Sequence, residues 1–228
     1  MKILVVQNKM GIGDMIIYLP FIDAISKKYN TPVSILVKKS SKADQFLKDN
    51  KIIEKIIILE QGNKLKNAKH QGFKGFINLT KELRKYNFDK VFIFNSSLRF
   101  NLISRFAGIK DIHQYPLFSK NKQHIIDAAK KLLNKDLNLD TLENPKIFVN
   151  DKSVLEAILK FKINKEEKNI LLGIGGSGPT KRIPSKTFLE LIRQVSNIYP
   201  CKFFLATGKN QEEQEILKEI LNTEFKDK

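Results

Sequence analysis

Two glycine-rich stretches hold the residues of this chain best suited to chemistry. They are Gly11-Ile12-Gly13-Asp14 near the start and Gly173-Ile174-Gly175-Gly176-Ser177-Gly178-Pro179-Thr180-Lys181-Arg182 in the second half. Glycine lets backbone N–H groups converge on an anion, and the positive end of a following helix dipole adds to the attraction. The second stretch adds the hydroxyls of Ser177 and Thr180 and the cations of Lys181 and Arg182, a donor set that suits a diphosphate. An ordinary strand–helix turn needs fewer glycines, so Gly175, Gly176, Ser177, Gly178, Thr180, Lys181 and Arg182 read as a ligand loop, with Ser185 available to cap the helix after it. In the first stretch Asp14 has two compatible readings: an N-cap for the first turn of a helix, or a carboxylate poised as a general base. This loop is not a dinucleotide fingerprint, because Ile16 stands at the third glycine position and no acid ends the strand at 33–37. It is not a P-loop either, since no Gly-Lys-Ser/Thr follows.

A third segment, Asp89 to Arg99, is an apolar strand that ends in Asn95-Ser96-Ser97. Ligands sit beyond the carboxyl ends of strands in parallel sheets. Arg99 therefore reads either as a contact to an acidic ligand or as an exposed helix arginine, with nothing to choose between them. Arg105 reads as part of a solvated helix face. His70, His113 and His124 are far apart and show no carboxylate pattern, so no metal site is expected. Cys201, the single cysteine, opens an apolar run and reads as a core thiol.

The elements that must position these residues alternate between short β-type runs and longer helical ones, the pattern of an α/β fold with a mainly parallel sheet. Strands are predicted at 2–6, 33–37, 55–59 and 90–94, and helices at 14–29, 41–48, 73–86, 99–107 and 122–134. Pro20 is expected to kink the first helix, and Gly62, Gly72 and Gly75 to punctuate the loop after the third strand. Periodicity is lost over 136–150, the expected connection. Beyond it come helices at 151–160, 185–198 and 210–221 and strands at only 169–173 and 201–206. Open α/β sheets usually have more strands than that, so the second unit reads as incomplete.

The 228 residues allow one or two domains. No apolar run is long enough to span a membrane, the start lacks the features of a signal peptide, and a lone cysteine fits a cytoplasmic chain. The net charge of +17 invites a nucleic-acid reading, but only five of the 41 basic residues are arginine, and no dense basic run stands out. A dispersed lysine surface favours acidic partners, including phosphorylated glycolipids and anionic membrane surfaces, over nucleic acid.

Several stretches, in order, resemble the lipopolysaccharide heptosyltransferases, the ADP-heptose-using glycosyltransferases of family 9. The resemblance is carried by Lys2-Ile3-Leu4-Val5-Val6 with Met10-Gly11-Ile12-Gly13-Asp14 and Leu19-Pro20, by Phe88-Asp89 through Arg99, and by Arg105-Phe106-Ala107-Gly108. It continues through the helix with His124, Gly173 through Pro184, and Leu205-Ala206-Thr207-Gly208 with Glu212-Glu213. Ile183 replaces the family's usual aromatic. The resemblance implies two Rossmann-like units in a GT-B arrangement: an acceptor-binding domain at 1–145 and a partial nucleotide-sugar-binding domain at 146–228. It implies inverting, metal-independent transfer of heptose from ADP-heptose to an anionic lipopolysaccharide core acceptor of the Kdo or heptose–lipid A type, with no cofactor. Asp14 would be the base and Lys181 would neutralise the departing diphosphate. Gly175, Gly176, Ser177, Gly178, Thr180 and Arg182 would bind the donor, and Gly11, Gly13 and Arg99 the acceptor. The expected place is the cytoplasm, with peripheral contact at the inner face of the inner membrane. The family's Asp-Ser/Thr-Gly-x-x-His stretch has no counterpart here, which implies a truncated or split form. The alternative is a non-catalytic remnant that binds a nucleotide or glycolipid.

Overall fold

A computed structural model describes residues 1–9, 11–62, 68–117, 124–139, 144–176 and 179–225. The chain divides into two units, Met1–Val149 and Asn150–Lys228.

The first unit is built on β1 (Ile3–Gln7), β2 (Val33–Lys38), β3 (Ile53–Leu59), β4 (Lys90–Ile93) and β5 (Asp111–Gln114), all parallel in the order β3-β2-β1-β4-β5. β1 lies in the middle, with Val5 beside Ile35 on one side and Phe92 on the other. Successive strand side chains point to opposite faces, so this buried strand is apolar throughout. Ile3 and Val5 pack with Tyr18, Phe21 and Ile22 of α1 (Ile12–Tyr29) and Leu132 and Leu133 of α5 (Ile125–Leu137). Leu4 and Val6 pack on the other face with Leu79 and Leu83 of α3 (Gly72–Arg84) and Phe100 and Ile103 of α4 (Leu98–Phe106). Each such fully buried side chain contributes roughly 1.5–3 kcal/mol. A four-residue helix, α2 (Ala43–Phe46), follows β2.

The second unit has α6 (Asp151–Phe161), β6 (Lys168–Gly173), α7 (Ser185–Ile198), β7 (Cys201–Ala206) and α8 (Gln211–Leu221). As the sequence predicts, its sheet has two strands among the described residues, paired in parallel with Leu172 beside Leu205. Its core is small: Leu172, Ile174, Phe188, Ile192 and Ile220.

The elements differ from the sequence expectations at several points. α1 begins at Ile12 rather than at 14, so Gly11 is its N-cap and Asp14 its third residue. Pro20 lies inside α1, which stays helical on both sides of it. Gly75 lies within α3 rather than in the preceding loop, and Gly72, at φ +63°, opens the helix. The last helix of the first unit ends at Leu137 rather than at 134; residues 122 and 123 lie outside the described set. β5 was invisible because Ile112 is its one apolar residue. It is an edge strand, where polar side chains are tolerated, and its His113 stacks on Phe92 with ring centroids 4.5 Å apart. Ser185 is the first residue of α7, and Pro184, without a side-chain bond, holds the cap position.

Candidate functional site

In the first unit, Gly11, Gly13 and Asp14 share the opening turn of α1, just beyond the carboxyl end of the central strand. The Asp14 Oδ2 atom accepts the Gly11 N–H at 3.1 Å. A side chain at Gly11 would crowd that oxygen at 3.3 Å, so glycine lets the carboxylate fold back over the turn. A Cβ at Gly13 would meet no atom within 4 Å beyond its own chain neighbours and helix backbone, so packing does not require a glycine there. Gln7 ends β1 fully buried, and neither side-chain polar atom has a hydrogen-bond partner among the described residues. Nothing in its local pattern marked it, because a polar residue at a strand end reads as the start of a loop.

Beyond β4, Asn95 Oδ1 accepts the Ser97 N–H at 2.9 Å, and Gln114 Nε2 donates to the Asn95 and Ser97 carbonyls at 3.0 Å each. Arg99 lies in the first turn of α4 but is drawn into the fold. Its guanidinium donates to the Gly72 carbonyl at 2.9 Å and the His70 carbonyl at 3.0 Å, and burial lowers its pKa. These bonds anchor the turn that enters α3, a structural role that sequence reasoning did not foresee.

In the second unit, Gly175, Gly176, Thr180, Lys181 and Arg182 belong to the segment between β6 and α7; Ser177 and Gly178 lie outside the described residues. Thr180 and Lys181 are exposed in a short 3₁₀ turn at Pro179–Lys181. Here the glycines answer to the protein itself. The Glu213 carboxylate, 8 % exposed, accepts the Gly176 N–H at 3.3 Å and the Gly208 N–H at 2.7 Å. A Cβ would stand 2.9 Å from Glu213 Oε2 at Gly175 and 2.7 Å from it at Gly208. At Gly176 a Cβ would stand 2.7 Å from the Lys181 carbonyl oxygen, where the loop crosses itself. The sequence expectation of N–H groups turned toward an external phosphate is thus corrected at Gly176, whose N–H serves an internal anion. Arg182 is also committed, with Glu212 in an ion pair and through Nε to the Gly176 carbonyl at 3.3 Å. The exposed cation of the segment is Lys181, held on a loop that Glu213 ties to the end of β7.

The histidines meet carboxylates that their spacing did not reveal. His113 contacts Asp136 at 2.8 Å and Asp111 at 3.0 Å. His70 accepts the Glu60 N–H through Nδ1 at 3.0 Å and faces Glu82 at 3.3 Å. Among the described residues no group of three His, Cys, Asp or Glu is arranged to hold a metal ion. Cys201 is half-buried at the start of β7, 3.9 Å from Ser196 Oγ. No helix among the described residues is long and apolar enough to cross a membrane.

A parallel sheet with a polar loop and an acid at the carboxyl end of its central strand is the frame of a ligand-binding α/β protein. Solved structures narrow the frame to the GT-B glycosyltransferase fold. A family 9 glycosyltransferase from Veillonella parvula matches with a TM-score of 0.75 at 17% identity, over 97% of this chain and 66% of that one. ADP-heptose lipopolysaccharide heptosyltransferase II of E. coli matches with a TM-score of 0.71 at 20% identity, over 100% of this chain and 71% of that one. An E. coli heptosyltransferase solved with ADP matches with a TM-score of 0.62 at 15% identity, over 97% and 72%. The motif resemblance and the structural neighbours therefore lead to the same group of proteins. This chain spans about two thirds of the length of the Veillonella structure. No family model and no curated protein sequence matches it.

Proposed function

We propose that this chain is a family 9 glycosyltransferase that moves a heptose from ADP-heptose to an anionic lipopolysaccharide core acceptor. The observation that carries the reading is a fold shared along the whole chain with a heptosyltransferase, in which Asp14 occupies the turn after the central strand. Asp14 removes the proton of the acceptor hydroxyl, whose oxygen attacks the anomeric carbon of the sugar. The bond from that carbon to the diphosphate breaks on the opposite side, configuration inverts, and ADP leaves. Lys181 neutralises the charge growing on the diphosphate, assisted by the hydroxyls of Thr180 and Ser177. This is base catalysis joined to electrostatic stabilisation of the leaving group, and it calls for no metal and no cofactor. The first unit takes the acceptor and the second the nucleotide. Arg99 is left out of the acceptor contacts because its guanidinium already serves two carbonyls. Work at the cytoplasmic face of an anionic membrane fits the net charge of +17.

The test is ADP release by the full chain supplied with ADP-heptose and a lipid A–core acceptor. Asp14→Asn is expected to lower kcat by roughly 10²–10⁴-fold while ADP binds as before. Unchanged turnover in that variant rejects Asp14 as the base. ADP binding without any transfer supports a nucleotide-binding protein instead, and absence of ADP binding rejects the proposal.

A further inference from the structure

Three aromatic rings meet on the outer surface of α3 and α4. Phe76 stacks on Phe73 with ring centroids 6.4 Å apart and meets Phe106 edge-on at 6.0 Å. Phe73 is nevertheless 81% exposed and Phe106 57% exposed. Ile77, one turn after Phe73, and Leu98, at the start of α4, extend the patch and are exposed too. A single apolar side chain on a surface needs no explanation, but a contiguous patch marks a contact with something else. Polar bonds tie the two helices together beneath it. The Arg99 guanidinium lies 5.8 Å from the centre of the Phe76 ring while it holds the Gly72 and His70 carbonyls, and Arg84 donates to the Phe106 carbonyl.

The charge around these rings is one-sided. Lys74, Lys81, Arg84 and Arg105 are exposed on the same two helices. Phe73, Ile77 and Lys81 follow one another at helical spacing and so share a face. Glu82 is the one acidic residue of α3 and α4, and Lys69 and His70 already hold it. Aromatic rings among cations on a helix surface suit the headgroup region of an anionic bilayer. There the rings enter the acyl boundary while the cations stay with the phosphates. The position of the patch agrees. α1, α3 and α4 each follow a strand of one parallel sheet, so their first turns lie toward the same edge. The His70 ring, which takes the Glu60 N–H just past β3, keeps the start of α3 there. Phe73 and Leu98 thus stand toward the edge that carries Asp14.

We propose that the surface of α3 and α4 docks the protein on an anionic lipid bilayer, with Phe73 and Phe106 entering the acyl boundary and Lys74, Lys81 and Arg105 meeting lipid phosphates. The proposal rests on the transferase reading for its choice of a membrane over an acidic protein, and deepens it by naming the face that meets the lipid. The test is co-sedimentation of the full chain with vesicles of phosphatidylcholine alone and of phosphatidylcholine mixed with phosphatidylglycerol. The mixed vesicles are expected to bind at least about tenfold more tightly. Phe73→Ser with Phe106→Ser is expected to weaken that binding at least about tenfold, and Lys74→Ala with Lys81→Ala by a similar factor. Lys130→Ala with Lys131→Ala, on α5 across the sheet, is expected to leave it nearly unchanged. The chain has no tryptophan, so Phe73→Trp keeps a ring in place and supplies a single reporter, whose emission is expected to shift to the blue on mixed vesicles. No vesicle binding, full retention in either patch variant, as great a loss in the α5 control, or unmoved emission from vesicle-bound protein overturns the proposal. ADP titrated in parallel keeps the two readings apart. ADP binding without vesicle binding counts against this surface alone, whereas patch-dependent vesicle binding in a chain that ignores ADP supports the surface and counts against the transferase.

Discussion

Asp14 and Glu213 occupy the same place in their units, the third position of a helix that follows a strand and a glycine. Each reaches back to a glycine N–H, Asp14 to Gly11 at 3.1 Å and Glu213 to Gly208 at 2.7 Å. Their surroundings separate their roles. Asp14 is half-buried beside an open turn, whereas Glu213 is buried and also holds Gly176. Removing Glu213 strands two N–H groups, so Glu213→Ala is expected to cost roughly 2–3 kcal/mol. Thermal unfolding would show this as a lower midpoint, together with weaker ADP binding as the loop bearing Lys181 loosens. An unchanged midpoint would mean that water replaces the carboxylate at no cost. Gln7 should behave in the opposite way. Its amide is buried with no partner among the described residues, so Gln7→Leu removes a desolvation penalty of about 1–3 kcal/mol and is expected to raise the midpoint by a few degrees. A fall in the midpoint would show that the amide has a partner in solution.

At the scale of elements, the entry to α3 shows how tightly a loop can be fixed. Arg99 holds the carbonyls of His70 and Gly72, the buried His70 ring takes the Glu60 N–H, and Gly75 packs against the His70 backbone. A Cβ on Gly75 would overlap the His70 carbonyl carbon, so Gly75→Ala is expected to destabilise by about 2–4 kcal/mol, read as a lower urea midpoint. Burial lowers the pKa of His70 below 6.5, against the opposing pull of Glu82 and Glu60 and with some help from Lys69. Once unfolded, the ring regains its ordinary value and binds a proton that the folded ring refuses. Its share of stability is therefore present above about pH 6.5 and is lost as pH falls from there toward the folded value. A proton NMR titration should place the His70 signal below 6.5; a midpoint at or above that contradicts the burial argument. None of this lock was legible in the sequence, because it joins residues up to 29 positions apart. The strands of the first sheet were legible, except β5, because burial on both faces demands apolar runs that an edge strand does not need. The two glycine loops were legible as strand-to-helix connections, but Glu213 was not legible as the anion at Gly176. Only the pairing of β6 with β7 brings their two loops under one carboxylate.

At the scale of the molecule, the two units differ in how much apolar surface they withdraw from water. β1 is paired on both edges and covered on both faces, while β6 and β7 each have one paired edge among the described residues. In the second unit Leu171 is 71% exposed and Leu159 77% exposed, and α6 has no buried residue. Hydrophobic burial is the main term that opposes chain entropy, so the second unit should open at a lower free energy than the first. Native-state hydrogen exchange in increasing denaturant is expected to show two groups of amides. Those of β1 and β2 should exchange only at the free energy of global unfolding, and those of β6 and β7 by an earlier, local opening. ADP tests the same difference from the ligand side. If its diphosphate rests on Lys181, saturating ADP should slow exchange in β6 and β7 by RT ln(1 + [L]/Kd) and leave β1 unchanged. Equal protection of β1 and β6 without ligand would show that the second unit draws stability from something other than its own small core. Slowing confined to β1 would move the nucleotide to the first unit and take the leaving-group role away from Lys181.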